Sequence, residues 1–167
     1  MTDLSKQKIN SKILKGNFPQ EKQIKFNRFI AEKIGFDFEA GRIDKSVHPF
    51  TVEIHPRDVR ITTRYKKNDI FHSINSTIHE AGHGLYEQGL PIKYFGTPLA
   101  QSISLGAHES QSRLWENNIG KSKGFLKYFY PKLKKEFPLP FNKISLDELY
   151  KAINKVSPSF IRTEADE

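Results

Sequence analysis

Apolar residues recur at helical spacing along much of the chain, and this pattern predicts a fold dominated by helices. The first such stretch covers residues 20–34, and Gly35 directly after it can adopt the left-handed conformation that ends a helix. Its apolar positions are Ile24, Phe26, Phe29, Ile30 and Ile34. We therefore predict a first amphipathic helix with one face against a core.

Two runs of β-favouring residues follow, at 50–54 and 59–65, with Pro56 in the short segment between them. Such a pair of runs predicts a β-hairpin. Because side chains alternate along a strand, Arg60 and Arg64 should lie on the same face of the second strand. The hairpin is thus predicted to present two guanidinium groups in one direction.

A second helix is predicted from about residue 70, with Asn68 or Asp69 as its capping residue, and Gly89 and Pro91 end it. Its apolar stripe consists of Ile70, Ile74, Ile78 and Leu85. This stripe leaves the other faces of the helix available for polar residues.

Three further helical stretches complete the pattern. One is predicted over residues 103–119, and another over residues 125–137, where two prolines directly after it interrupt the helix. The last opens with the sequence SLDE at residues 145–148, whose spacing of Ser and Glu is typical of a capping box. Since no repeat or linker divides the sequence, residues 1–167 are expected to form a single domain.

The chain contains no cysteine, so any metal site must use His, Asp and Glu. A chain without cysteine suits a reducing compartment, and we expect a cytoplasmic location. The amino terminus, MTDLSKQKINSKILKG, lacks the apolar segment of a secretory signal, and no run of residues is long enough to cross a bilayer. No membrane partner is therefore expected.

A formal net charge of +8 would suit a nucleic-acid partner if the basic residues were clustered. The lysines are instead scattered over several segments, with only short clusters such as residues 66–67 and 132–135. Many stand at helical spacing beside apolar residues, so solvated helix faces explain the charge more simply. We expect no nucleic-acid partner.

The sequence HEAGH at residues 79–83 matches the pattern H-E-x-x-H and falls on the second predicted helix. Residues four apart share one helix face about 6 Å apart, so the imidazoles of His79 and His83 can hold one metal ion. Glu80 lies about 100° further round the helix, where it can reach a water molecule without binding the metal itself. Zn²⁺ suits such a set of ligands.

The two histidines could instead be ordinary residues of the helix surface. Gly82 and Gly84 count against a purely stabilising role, because each costs a helix interior about 1 kcal/mol relative to alanine. Close packing against a second helix would explain both glycines. A third ligand could come from His108 or Glu109 on the next predicted helix, either of which could also be a surface residue or a hydrogen-bond partner of a ligand.

Beyond this motif, the sequence closely resembles the carboxypeptidase Taq family of thermostable metallocarboxypeptidases. The resemblance runs from about Phe26 to Glu167 through several short motifs in the family's order. They are GFDFEAGRIDKSVHPF, DVRITTRY, HEAGHGLYEQGL, the GTP at residues 96–98, SLGAHESQSRLWENNIG and NKVSPSFIRTEADE. A later family motif resembling GxxQDxHW is absent, so we expect an internal, catalytic-core fragment of a longer enzyme.

The resemblance implies a mainly α fold, a zincin-like helical metallopeptidase core with a small β-hairpin near the active-site helix. It also implies that Glu109, rather than His108, is the third metal ligand beside His79 and His83. Glu80 is then the general base and acid. Zn²⁺ is the expected metal, and Co²⁺ or Mn²⁺ could occupy the same ligands.

The resemblance further implies that His48 and Arg162 line the substrate cleft, where a guanidinium can receive the terminal carboxylate of a peptide. Arg60 and Arg64 are lesser candidates for the same role. Each of these arginines could instead anchor the structure through a buried ion pair.

Together these observations predict a metallocarboxypeptidase that releases the carboxy-terminal residue of a peptide substrate by metal-assisted hydrolysis. The metal ligands alone would equally suit a zinc endopeptidase. A fragment without part of its cleft could also fold and bind metal without turnover. The resemblance implies a homodimer, an expectation that concerns the longer members of the family.

Overall fold

The computed structural model describes residues 9–156, so the prediction for Arg162 lies outside the described residues. A mainly helical fold with a small sheet is confirmed. The helices are α1 (Gln20–Lys33), α2 (Ile70–Gln88), α3 (Leu105–Arg113), α4 (Lys123–Glu136), the short α5 (Pro138–Phe141) and α6 (Leu146–Ile153). The strands are β1 (Gly41–Lys45), β2 (Thr51–His55) and β3 (Asp58–Thr63). Short 3₁₀ turns lie at Ser11–Leu14, Ile92–Tyr94 and Pro98–Ala100.

The predicted helix ends are confirmed where a capping residue defines them. Gly35 has a φ of 108° after the last turn of α1. The side chain of Asp69 accepts a hydrogen bond from the backbone N–H of His72 at 3.2 Å and so caps α2. Ser145 and Glu148 form the complete capping box at the start of α6. These local interactions satisfy backbone groups that a helix end would otherwise leave unpaired.

The sheet has the strand order β1-β3-β2, with β2 antiparallel and β1 parallel to β3. The predicted hairpin corresponds to β2 and β3, whereas β1 was not predicted. A Cβ atom at Gly41 would collide with the carbonyl oxygen of Val59 on β3, so the close approach of these two strands requires glycine there. The central position of β3 places its buried residues Val59 and Ile61 under α2.

Helix α2 lies between two hydrophobic clusters. The larger one is rich in aromatic residues from α1, α4, α5 and the segments next to them, including Phe18, Phe26, Phe129, Phe137 and Phe141. The smaller one joins the sheet to α1 and α2 and is formed by Ala31, Phe36, Val59, Ile61 and Ala81. Contacts on both sides fix the position of α2.

None of the described helices is both long and apolar enough to cross a membrane.

The helix predicted over residues 103–119 consists of two parts. Ser104 accepts a hydrogen bond from the N–H of Ala107 at 3.0 Å, so α3 begins at Leu105. After Arg113 the chain continues as a π-helical segment, Leu114–Ile119, which ends where the N–H of Gly120 donates to the carbonyl of Trp115 at 2.7 Å. Wider turns of this kind occur often at functional sites.

Gly82 and Gly84, both on α2, have different neighbours. A Cβ atom at Gly82 would lie 2.7 Å from Cα of Ser112, which confirms the expected close packing against a second helix, α3. A Cβ atom at Gly84 would lie 2.6 Å from the ring of Phe36, which follows α1 and is not helical. The prediction of helix packing is therefore wrong for Gly84, where an aromatic side chain fills the space.

Candidate metal centre

Three side chains from α2 and α3 converge where these two helices pack together. Nε2 of His83 lies 3.2 Å from Oε2 of Glu109, and Nε2 of His79 lies 3.5 Å from the same oxygen. One nitrogen or oxygen atom of each residue lies within 4.8 Å of the others. The structure thus brings together the three residues predicted as ligands, with Glu109 facing both Nε2 atoms.

Glu109 is held in place by its own helix. Oε2 accepts a hydrogen bond from Oγ of Ser112 at 2.9 Å, and Oε1 accepts one from Nε of Arg113 at 2.6 Å. Because Gly82 allows the backbone at Ser112 to approach α2 closely, this carboxylate reaches the two imidazoles. Burial raises the pKa of Glu109, but Ser112 and the nearby positive groups lower it more, and the net pKa is below its usual value.

His79 has a carboxylate partner on its second ring nitrogen. Nδ1 lies 3.0 Å from Oε2 of Glu116, which also accepts from Nη1 of Arg113 at 3.3 Å. A proton on Nδ1 that is donated to Glu116 leaves the lone pair of Nε2 facing Glu109. Burial lowers the pKa of His79, but the bond to Glu116 and the nearby carboxylates raise it above its usual value.

His83 has a different kind of partner. Its Nδ1 faces Nδ1 of His108, and Nε2 of His108 lies 2.6 Å from Oε1 of Glu87. Burial and the neighbouring histidines lower the pKa of His83 to about 4, so this imidazole is neutral near pH 7. A neutral imidazole is the form that binds a metal ion.

Glu80, the predicted general base, follows His79 on α2 and is 6% exposed. The hydroxyl of Thr51 on β2 donates to Oε2 of Glu80 at 2.6 Å. The same hydroxyl lies 3.1 Å from the carbonyl oxygen of Glu80, so strand β2 is attached to α2 at this residue. The side chain therefore stands beside the three converging residues with a fixed orientation.

A cavity of about 420 Å³ opens beside His79 and Glu80. His48 and Arg64 line it, as does Lys66, so two of the predicted substrate-binding residues face this space. Arg60 lies on the other side of β3 from the buried Val59 and Ile61, and its guanidinium is paired with the carboxylate of Asp58 through two hydrogen bonds of 2.8 Å. Arg60 and Arg64 were predicted to point in the same direction, but of the two only Arg64 lines the cavity.

Five residues that support the site were not predicted from the sequence: Thr51, Glu87, Ser112, Arg113 and Glu116. Glu87 stands four positions after His83, a spacing that places the two residues on the same helix face. That signal was present in the sequence. Thr51 offered none, because its contact with Glu80 depends on how the sheet packs against α2.

The chemistry of these donors fits a divalent cation. Two imidazole nitrogens and one carboxylate oxygen are the usual ligands of a catalytic zinc that keeps one position for water or substrate. The second nitrogen of each histidine is engaged by another side chain, which is the usual arrangement around ligand histidines.

Comparison with known proteins gives consistent results. The family model described as carboxypeptidase Taq (M32) metallopeptidase matches residues 1–167. The chain is similar to thermostable carboxypeptidase 1 of Thermus thermophilus, with 47% identity over 158 residues that cover 95% of this chain and 31% of that protein. It is also similar to carboxypeptidase 1 of Bacillus subtilis, with 46% identity over 150 residues, 90% of this chain and 30% of that protein.

The fold is also similar to that of a solved structure. The crystal structure of the M32 carboxypeptidase from Deinococcus radiodurans has a TM-score of 0.91 and 42% identity, over 96% of this chain and 32% of that chain. The chain therefore spans about a third of the length of the relatives it matches.

Proposed function

This chain belongs to the carboxypeptidase Taq (M32) metallopeptidase family, and from that membership we propose that it carries the catalytic metal site of a metallocarboxypeptidase. The family implies a divalent metal, and the relatives are named carboxypeptidases. The observation that supports the proposal most is the convergence of His79, His83 and Glu109. The substrate would be a peptide, and the reaction would release its carboxy-terminal residue.

His79, His83 and Glu109 would hold the metal in this proposal. Zn²⁺ suits two imidazoles and a carboxylate best, and Co²⁺ or Mn²⁺ could take its place. A divalent ion bound there would polarise the scissile carbonyl group and lower the pKa of water toward about 7. The absence of cysteine suits the reducing cytoplasm, which is the location we propose.

Glu80 would act as the general base and acid. It would remove the proton from the attacking water and later deliver it to the leaving amine. Two features support this role: the carboxylate lies at the cavity beside His79, and the hydrogen bond from Thr51 holds it there.

The peptide would place its terminal carboxylate among the cationic groups of the cavity. Arg64 and Lys66 supply positive charge there, and His48 lies near the catalytic glutamate. An arginine can bind a carboxylate through two parallel hydrogen bonds, which is what recognition of a free carboxy terminus requires. Arg162 remains a candidate for this role, whereas Arg60 is the weaker one because Asp58 already pairs with it.

A paired peptide assay tests the proposal. The purified chain is analysed for bound metal and then given one peptide with a free carboxy terminus and the same peptide amidated at that end. We expect bound zinc and release of the terminal residue from the free peptide only. A chelator should abolish the activity, and added zinc should restore it.

Other results would distinguish the alternatives. Internal cleavage of the amidated peptide would identify an endopeptidase. Bound zinc with no release from either peptide would support the metal site and reject the activity of this chain, which spans about a third of its relatives. A chain that binds no divalent metal would contradict the proposal as a whole.

A further inference from the structure

His83, His108 and Glu87 form a linear chain of side-chain contacts behind the candidate metal site. Nδ1 of His83 faces Nδ1 of His108, with the two ring planes only 23° apart. Nε2 of His108 then meets Oε1 of Glu87 at 2.6 Å. Glu87 is 5% exposed, and the ring of Tyr86 packs edge-on against His108. The chain of contacts is thus enclosed between α2 and α3.

The proton positions along this series of side chains follow from the hydrogen-bonding capacity of each group. The carboxylate of Glu87 is an acceptor, so Nε2 of His108 donates its proton to it. With a metal ion on Nε2 of His83, the ring proton of His83 is on Nδ1, and Nδ1 of His108 faces it as the acceptor. Nε2, the remaining nitrogen of His83, is the one that faces Glu109.

We propose that His108 and Glu87 are positioning residues that hold His83 in its metal-binding tautomer. The inference rests on the proposed function, in which His83 is a metal ligand. In the other tautomer, Nε2 of His83 would donate its proton to Oε2 of Glu109, only 3.2 Å away. That bond would occupy two ligand atoms at once. The contacts to His108 and Glu87 therefore favour metal binding before any metal arrives.

Zinc affinity measures this role directly. We would determine the dissociation constant of zinc by competition with a chromophoric chelator for the unsubstituted chain and for His108→Leu. Leucine removes the acceptor, and loss of such an outer partner weakens metal binding by about 10- to 100-fold. Zinc binding by His108→Leu as tight as that of the unsubstituted chain would overturn the inference.

Three further variants separate tautomer control from simple packing. His108→Asn places an acceptor oxygen near the position of Nδ1, and its zinc affinity should stay within about threefold of the original. Glu87→Gln weakens the acceptor at the far end and should cost about tenfold. Tyr128→Leu is the control, because Tyr128 is exposed on α4 and packs edge-on against Phe129, and its zinc affinity should not change. Equal losses in His108→Leu and His108→Asn would contradict the inference.

Nitrogen-15 NMR of the unsubstituted, zinc-loaded chain tests the inference without any substitution. We expect His108 to carry its proton on Nε2 and to have a bare Nδ1. A proton on Nδ1 of His108 would overturn the inference while leaving the metal site intact. Failure of the unsubstituted chain to bind zinc would instead reject the proposed function, so the two failures can be told apart.

Discussion

Helix α2 changes its surroundings near residue 79. Residues 70–78 present Ile70, Ile74 and Ile78 to the aromatic cluster, and all three are less than 5% exposed. Residues 79–88 instead bury polar groups, among them Glu80 and Glu87. Each of these has a specific partner, such as Thr51 for Glu80 and His108 for Glu87.

The two halves therefore contribute in different ways. Burial of apolar area stabilises the amino-terminal half, at roughly 25 cal/mol per Å² removed from water. Burial of carboxylates and imidazoles opposes folding unless each is hydrogen-bonded, and the contacts of the carboxyl-terminal half only offset that cost. One end of the helix therefore anchors the fold, and the other end holds polar groups in a fixed geometry. Substitutions in the two halves should separate stability from chemistry.

The largest effect is expected for Glu80→Gln. Loss of the proposed general base should lower kcat by about 10²- to 10⁴-fold, or about 3–5 kcal/mol, while zinc content and melting temperature change little. Steady-state assays on the free peptide, with metal analysis, measure this. Glu136→Gln is the control, since Glu136 pairs with Lys132 on α4 and has no contact with the site. Full activity in Glu80→Gln would show that another group is the base.

In the amino-terminal half, Ile74→Ala should lower the free energy of unfolding by about 2–5 kcal/mol, because Ile74 is buried in the aromatic cluster. Ile74→Val should cost only about 0.5–1.5 kcal/mol. Denaturant unfolding without zinc measures the change, and a zinc titration of the folded variant measures the site. A parallel loss of zinc affinity would show that the two halves cannot be separated.

Gly82→Ala tests the close contact between α2 and α3 at Ser112. Its Cβ atom would press on the backbone at Ser112, so we expect a loss of about 1–3 kcal/mol in unfolding free energy and weaker zinc binding through displacement of Glu109. Gly106→Ala is the matched control on α3, where the nearest atom would be 3.9 Å away. It should instead stabilise the chain by about 0.5–1 kcal/mol. Unchanged zinc affinity in Gly82→Ala would contradict this account.

The smallest effect is expected for Thr51→Val, which removes the hydrogen bond to Glu80 and keeps the shape of the side chain. We expect kcat to fall about tenfold, or about 1.4 kcal/mol, with zinc affinity unchanged. Thr51→Ser retains the hydroxyl and should recover most of the rate. If serine and valine gave the same rate, the hydroxyl would have no part in positioning Glu80.

Elements with local signals could be predicted from the sequence. The apolar spacing and capping residues defined α1, α2 and α6, and two runs of β-favouring residues defined β2 and β3. Strand β1 could not be predicted because it pairs in parallel with a distant segment, and a run of five mostly polar residues carries no sign of such a partner. The π-helical segment was likewise missed, because its apolar and polar pattern resembles that of an α-helix.

The same distinction between local signals and tertiary packing holds for the candidate site. The HEAGH spacing and the family resemblance brought out His79, His83 and Glu109, and the structure places these side chains together. Their hydrogen-bond partners depend on how α3 packs against α2 and how β2 packs beside it, which the sequence does not reveal. The pairing of His83 with His108 is the clearest example, since the residues alone left His108 as a ligand, a partner or a surface residue.

The position of Glu109 relative to His83 has a mechanical consequence. Between these residues, segment 89–104 makes two 3₁₀ turns and leaves Phe95, Leu99 and Ile103 exposed. An ion shared by α2 and α3 would join the two ends of this segment, much as a crosslink closes a loop, and would remove open conformations from the ensemble. Zinc should then slow amide hydrogen exchange across α3, so a bound ion would also restrict the motion of the surface around the cleft.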